Sequence, residues 1–203
     1  LASARMQEKD TRKTEEILKK GLERNGKDLP LHRALADLYA SQGRTDEAAV
    51  EVRKVIELDP ADFGNRITLA SLYWGAKQPD KARAVLNELL AAKPDDEAVR
   101  LDVARFYAER GGVADAEREL RAGIARNGKS LRPRLALGAL YLNSGRVDNA
   151  AVLLRECIAL EKDPGAPEIL QARNLLALAH LAKGELDPAL KNVDEAIKAS
   201  KGN

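Results

Sequence analysis

Apolar positions along the chain recur three and four residues apart. They form stripes of about a dozen residues, separated by short polar breaks that carry glycine, proline or asparagine. Leu69, Ala70 and Tyr73 make one such stripe, and Ala82, Leu86 and Leu89 make the next. Residues at this spacing share one face of a helix. The pattern therefore predicts a succession of short amphipathic helices. Pro79 and Pro188 suit first-turn positions, where a missing N–H costs nothing. Asp95 and Ser130 are candidate N-caps.

The stripes repeat. Tyr39, Tyr73, Tyr107 and Tyr141 stand 34 residues apart. Three places before each comes a small residue, Ala36, Ala70, Ala104 or Gly138, and nine places after each an alanine, Ala48, Ala82, Ala116 or Ala150. Val52, Leu86, Leu120 and Leu154 follow four residues on. Gly43, Gly111 and Gly145 mark a turn inside each unit. Lys77 takes that place in the second unit, where Gly75 and Gln78-Pro79 suggest a slightly shifted turn.

This pattern resembles the tetratricopeptide repeat, a 34-residue helix–turn–helix unit. The matching units are 29–62, 63–96, 97–130 and 131–164. A fifth, 165–203, follows a short insertion at Asp163–Pro167 and carries Leu176, Ala177, Gly184, Ala189 and Val193, with His180 in the tyrosine place. A partial unit, 1–28, leads the array. Gly21–Lys27 parallels Gly123–Lys129, so Thr11–Arg24 is expected as a second-type helix and Leu1–Lys9 as the remnant of its partner. The tryptophan place of the family holds His32, Arg66, Arg100, Arg134 and Arg173 instead. The resemblance implies an all-α, right-handed superhelical solenoid of stacked helix pairs in one continuous domain. One pair cannot bury both of its stripes alone, so neighbours must stack.

Composition narrows the function. The chain has 203 residues, 44% of them apolar and 33% charged, which is enough to bury a core. The 34 basic and 32 acidic residues alternate in sign. No basic stripe of the kind nucleic-acid binding needs is present. The cluster Lys13, Lys19, Lys20, Arg24 and Lys27 reads as a solvated helix beside Glu15, Glu16 and Glu23. No apolar run is long enough to enter a bilayer as a helix. The chain starts at Leu1 inside a helical pattern and shows no signal peptide, so it reads as a fragment or processed product. The Ala/Arg-rich repeats are bacterial in style, similar to those of cell-envelope and exopolysaccharide-assembly proteins. Periplasm, envelope and cytoplasm all stay open.

Catalytic chemistry finds little footing. His180 replaces a packing tyrosine, and His32 lies at a helix start beside Arg33 and Asp37; neither has an HExxH-type companion. The single cysteine, Cys157, takes a place filled elsewhere by Val55, Leu89, Gly123 and Ala196, and reads as a packing residue. Gly111-Gly112 is a turn without the lysine of a phosphate loop, and Asp95-Asp96 opens a helix. The sequence therefore predicts no enzyme, no cofactor and no metal.

Some members of the family grip a chaperone's C-terminal carboxylate with Lys, Asn and Arg on three successive first helices. The matching places here hold Arg33 and Asp37, then Thr68, then Ala98 and Asp102, and the two acids would repel a carboxylate. Shifting by one unit gives Ile67, Ser71, Asp102, Arg132 and Ala136, which fits no better. What the family's groove face does carry is an apolar band. The resemblance places Arg33, Ile67, Trp74, Leu101, Arg105, Leu135 and Leu142 there. They are expected to form one strip that binds a protein or peptide, with Trp74 as anchor and Arg33 and Arg105 orienting acidic groups. Two alternatives remain. Ile67, Leu101 and Leu135 could wedge against the next first helix, and Trp74 could fill the Gly75–Pro79 turn. The chain as a whole reads as an interaction scaffold or as a regulatory or targeting module attached to an enzyme or envelope assembly machine elsewhere in a parent chain. Neither end shows a polar capping helix, so weak self-association through the ends is also expected.

Overall fold

The computed structural model describes residues 2–200, with side chains from Asp10 onward. Eleven helices and no strand occur among these residues. They are α1 (Ala2–Arg24), α2 (Leu29–Ser41), α3 (Thr45–Leu58), α4 (Gly64–Gly75), α5 (Pro79–Ala92), α6 (Glu97–Glu109), α7 (Val113–Arg126), α8 (Arg132–Asn143), α9 (Val147–Leu160), α10 (Pro167–Ala182) and α11 (Leu186–Ser200). The first helices α2, α4, α6 and α8 contain the four periodic tyrosines, as the pattern predicts, and α10 contains His180. The leading segment departs from expectation. With no Gly or Pro before Gly21 to break it, α1 runs unbroken from Ala2 instead of forming a remnant and a second helix.

Local signals set the boundaries. Asp28 caps α2 by accepting from the Leu31 N–H at 3.1 Å, and Asp96 caps α6 by accepting from Val99 N–H at 3.1 Å. Asp96, not Asp95, is thus the cap; Asp95 is exposed and lies 3.5 Å from Arg126. Ser130 is not a cap either. Pro133 sits in the first turn of α8, which begins at Arg132, and the Ser130 carbonyl accepts from Arg134 Nη1 at 2.7 Å. Gly43, Gly111, Gly145 and Gly184 close the turn inside their pairs at φ of 72–76°. Lys77 adopts φ 59° in the same place. Its turn is not shifted: Lys77 N–H donates to Trp74 O and Gln78 N–H to Tyr73 O, as Gly43 does to Ala40 and Arg44 to Tyr39.

The helices sort into two compact units, Leu1–Pro94 and Asp95–Asn203. In the first, Leu35, Tyr39 and Ala48 form a buried cluster, and Leu18 and Leu22 of α1 and Leu72 of α4 pack against it. In the second, Tyr107 is buried with the Phe106 ring edge-on to it, centroids 5.7 Å apart. The small residue at the eighth place lets paired helices approach: a Cβ on Gly138 would lie 2.9 Å from Leu154 Cδ2. Within each unit a second helix packs on the following first helix, α3 on α4 in one, α7 on α8 and α9 on α10 in the other.

Candidate protein-binding surface

Two sets of polar contacts hold the helix pairs together. At the missing tryptophan place, a basic side chain reaches across to the second helix of its own pair. His32 Nδ1 lies 2.6 Å from Glu51 Oε2, its Nε2 3.1 Å from the Gly26 carbonyl oxygen. Arg100 donates to Glu119 at 2.7 Å, both side chains almost fully buried, and Arg173 pairs with Glu195. Where the second helix carries Val85 or Leu153 in place of Glu51 or Glu119, the arginine turns to a preceding carbonyl: Arg66 to Pro60, Arg134 to Ser130. The 19-residue pairing of His32 with Glu51 and Arg100 with Glu119 is legible in the sequence but was not anticipated.

The second set joins successive repeats. Tyr39 O–H donates to Glu15 of α1 at 3.2 Å, and Arg44, 4.1 Å from the tyrosine ring, donates to the same carboxylate at 2.6 Å. Three repeats later Tyr141 donates to Glu117 at 2.7 Å, and Arg146, 4.3 Å from its ring, donates to Glu117 at 2.6 Å. Arg44 and Lys19 hold the Glu15 carboxyl down to about 2, and Arg146 and Tyr141 hold that of Glu117 down to about 2.

Within the second unit, α6, α8 and the first turn of α10 enclose an open hollow of about 600 Å³. Leu101, Ala104, Leu135, Ala139 and Leu140 give it an apolar floor; Arg105, Arg132, Asn143, Glu168 and Gln171 give it a polar rim. Arg105 is exposed and paired with Asp102 three residues earlier. Such a surface pair holds its arginine weakly, which leaves the guanidinium open to a better acceptor.

The expected groove residues fall in both units. The hollow brings together Leu101, Arg105 and Leu135. Leu135 is only 3% exposed, because α8 packs against both α6 and α10; it is floor, not an exposed band. Leu142 is half-buried and outside the hollow. Arg33, Ile67 and Trp74 belong to the first unit. Arg33 donates to Asn65 at 3.2 Å and lies 3.5 Å from Asp62, so it ties α2 to the start of α4. Ile67 and Trp74 are half-buried, and the Arg83 guanidinium sits 5.9 Å from the Trp74 ring. Sequence reasoning missed Asn143, Glu168 and Gln171. The signal was the insertion before α10: that helix has 16 residues against 12 in α8, starts one turn earlier in the repeat register, and walls the hollow with Pro167, Glu168 and Gln171.

Cys157, His32 and His180, the residues weighed for catalytic chemistry, are all buried. Cys157 is fully buried, and burial pushes its thiol up to about 11, so the thiolate a nucleophile needs is suppressed. His180 is buried with Nδ1 2.5 Å from Glu185. No group of three or more His, Cys, Asp or Glu among the described residues could hold a metal ion. None of the described helices is long and apolar enough to cross a membrane.

Tetratricopeptide-repeat models match residues 5–62, 41–101, 73–140 and 135–203, nearly the whole chain. The chain belongs to the tetratricopeptide-repeat family. No curated protein sequence matches it significantly. Among solved structures, a MamA protein aligns at 21% identity over 87% of this chain and 93% of its own, with a TM-score of 0.55. MamA from Desulfovibrio magneticus RS-1 aligns at 14% over 86% and 96%, TM-score 0.54. YrrB, described as a tetratricopeptide protein with an unusual peptide-binding site, aligns at 19% over 90% and 91%, TM-score 0.51. At these identities the likeness shows the shared tetratricopeptide solenoid fold.

Proposed function

We propose that the chain is a non-catalytic interaction module that binds a segment of a partner protein in the hollow of α6, α8 and α10. The observation that carries this reading is the hollow itself: an apolar floor ringed by side-chain amides and guanidinium groups. That is the mix a peptide needs, burial for its apolar side chains and hydrogen-bonding groups for its backbone. Arg105 and Arg132 orient an acidic group on the ligand, since charge-assisted pairs with carboxylates are directional. The peptide-binding site named for YrrB supports the class of ligand, and the fold is common to both. The competing reading, a regulatory module serving an enzyme in a longer parent chain, uses the same surface. Trp74 lies on α4 in the first unit and is not among the residues that line this hollow.

The test is selection of a random 12-residue peptide library on the immobilised chain. Enriched peptides should combine apolar residues with an acidic one. They should bind Leu101→Asp at least 30-fold more weakly, about 2 kcal/mol for loss of a central apolar contact, while helical content stays unchanged. No enrichment, or equal binding to the variant, would contradict the proposal.

A further inference from the structure

On the side of α8 turned away from the hollow, α7 and α9 bound a second recess, and both of them pack on α8. Leu137 and Tyr141 of α8 form its bottom. They lie about half a turn around the helix from Leu135, Ala139 and Asn143, which line the hollow. The recess is an open groove of about 560 Å³. Ile124 of α7 and Leu153 of α9 are its half-buried apolar walls. Val152, 56% exposed, extends the α9 wall outward, although α8 and α10 both pack on α9. In α3 and α7 the place of Leu153 holds Glu51 and Glu119, whose carboxylates face His32 and Arg100. Leu153 puts an apolar side chain there instead, and Arg134 donates to the Ser130 carbonyl. Val85 of α5 does the same in the first unit. A smaller groove of about 190 Å³ lies there, with Ile56, Leu69 and Val85 in the places of Ile124, Leu137 and Leu153.

An acid accompanies each apolar wall. Glu156 lies on the rim one turn after Leu153, and Glu88 follows Val85 at the same distance. Where the wall place is a glutamate, the rim place is Lys54 in α3 or Ala122 in α7. Glu88 and Glu156 are exposed, and neither carboxylate makes an ion pair or hydrogen bond among the described residues. Asp148 adds a second acid to the α9 rim, held by an exposed pair with Lys183. The base on the opposite rim is already engaged: Arg121 of α7 pairs with Glu117 and donates to Tyr141. The open charge of the groove is therefore negative. We infer that this groove is a second docking site, for a partner-protein segment in which a large apolar side chain sits beside a lysine or arginine. The apolar side chain enters between Ile124, Leu137 and Leu153, and the cation reaches Glu156. A neutral or acidic neighbour would leave the Glu156 carboxylate covered and unpaired, which costs affinity. The two sites share α8 but no lining residue, so the groove does not depend on the hollow.

The test is selection of a random 12-residue peptide library on the full chain carrying Leu101→Asp, which puts a charge in the floor of the hollow and leaves the groove untouched. The most enriched peptide is labelled with fluorescein and titrated by anisotropy. Enriched peptides should set an apolar residue beside a lysine or arginine, where ligands of the hollow carry an acid. Val152→Asp and Glu156→Lys, both at exposed positions and both with unaltered circular dichroism, should each weaken binding about 10-fold. Exchanging the peptide's basic residue for glutamate should restore binding to Glu156→Lys alone. No enrichment, or binding indifferent to both substitutions, would overturn the inference. So would a loss in Glu156→Lys that the charge exchange fails to rescue, because Glu156 would then not be reading the cation. Self-association by sedimentation that Val152→Asp abolishes would assign the groove to a second copy and overturn it as well.

Discussion

Lys77 occupies a turn that the other four complete pairs close with glycine, and it does so at φ 59°. A side chain pays roughly 1 kcal/mol or more to enter this left-handed region, and glycine does not. Lys77→Gly should therefore raise stability by about 0.5–1 kcal/mol, after allowing for the greater freedom of glycine in the unfolded chain. The urea midpoint reads this directly, and a fall in midpoint would show that the lysine side chain stabilises the turn. The sequence exposed the irregularity at Lys77 but pointed to the wrong remedy. Gly75 and Gln78-Pro79 suggested a displaced turn, whereas the hydrogen bonds from Lys77 and Gln78 keep the common geometry. The turn is fixed by both helices it joins, and the strain is left to one residue.

At the scale of helices, the repeat spacing located every first helix, because the tyrosine and the small residue three places before it have one packing duty in each pair. The spacing did not reveal what joins the pairs. Glu15–Tyr39–Arg44 and Glu117–Tyr141–Arg146 are each drawn from two repeats, so a pattern sought inside one repeat misses them. Their carboxyls sit at about 2, below the ordinary 4.5. A lowered folded-state value means the stabilisation is complete above about pH 4.5 and disappears as the pH falls through about 2. Glu117→Gln should therefore be less stable than the native chain at pH 6, and the gap should close toward pH 2. Paired denaturation curves at pH 6, 4 and 2.5 check this; a gap that stays constant with pH would remove the carboxylate from the account.

For the molecule as a whole, the fold was largely legible and the site only partly. Leu101 and Leu135 hold the same place in successive repeats and both floor the hollow, yet one is half-buried and the other almost fully buried. The difference comes from α10, whose extra turn follows the insertion at 163–167 and closes one side of the hollow. A repeat average cannot show what an irregular helix does to its neighbour. The central claim is that this hollow is where the chain takes hold of a partner. The most direct measurement is a titration of the isotope-labelled chain with a library-selected peptide, followed by backbone amide resonances. The account predicts saturable shifts concentrated at Leu101, Arg105, Leu135, Asn143 and Gln171, all absent in Leu101→Asp. Shifts confined to residues outside α6, α8 and α10, with these five unmoved, would contradict it.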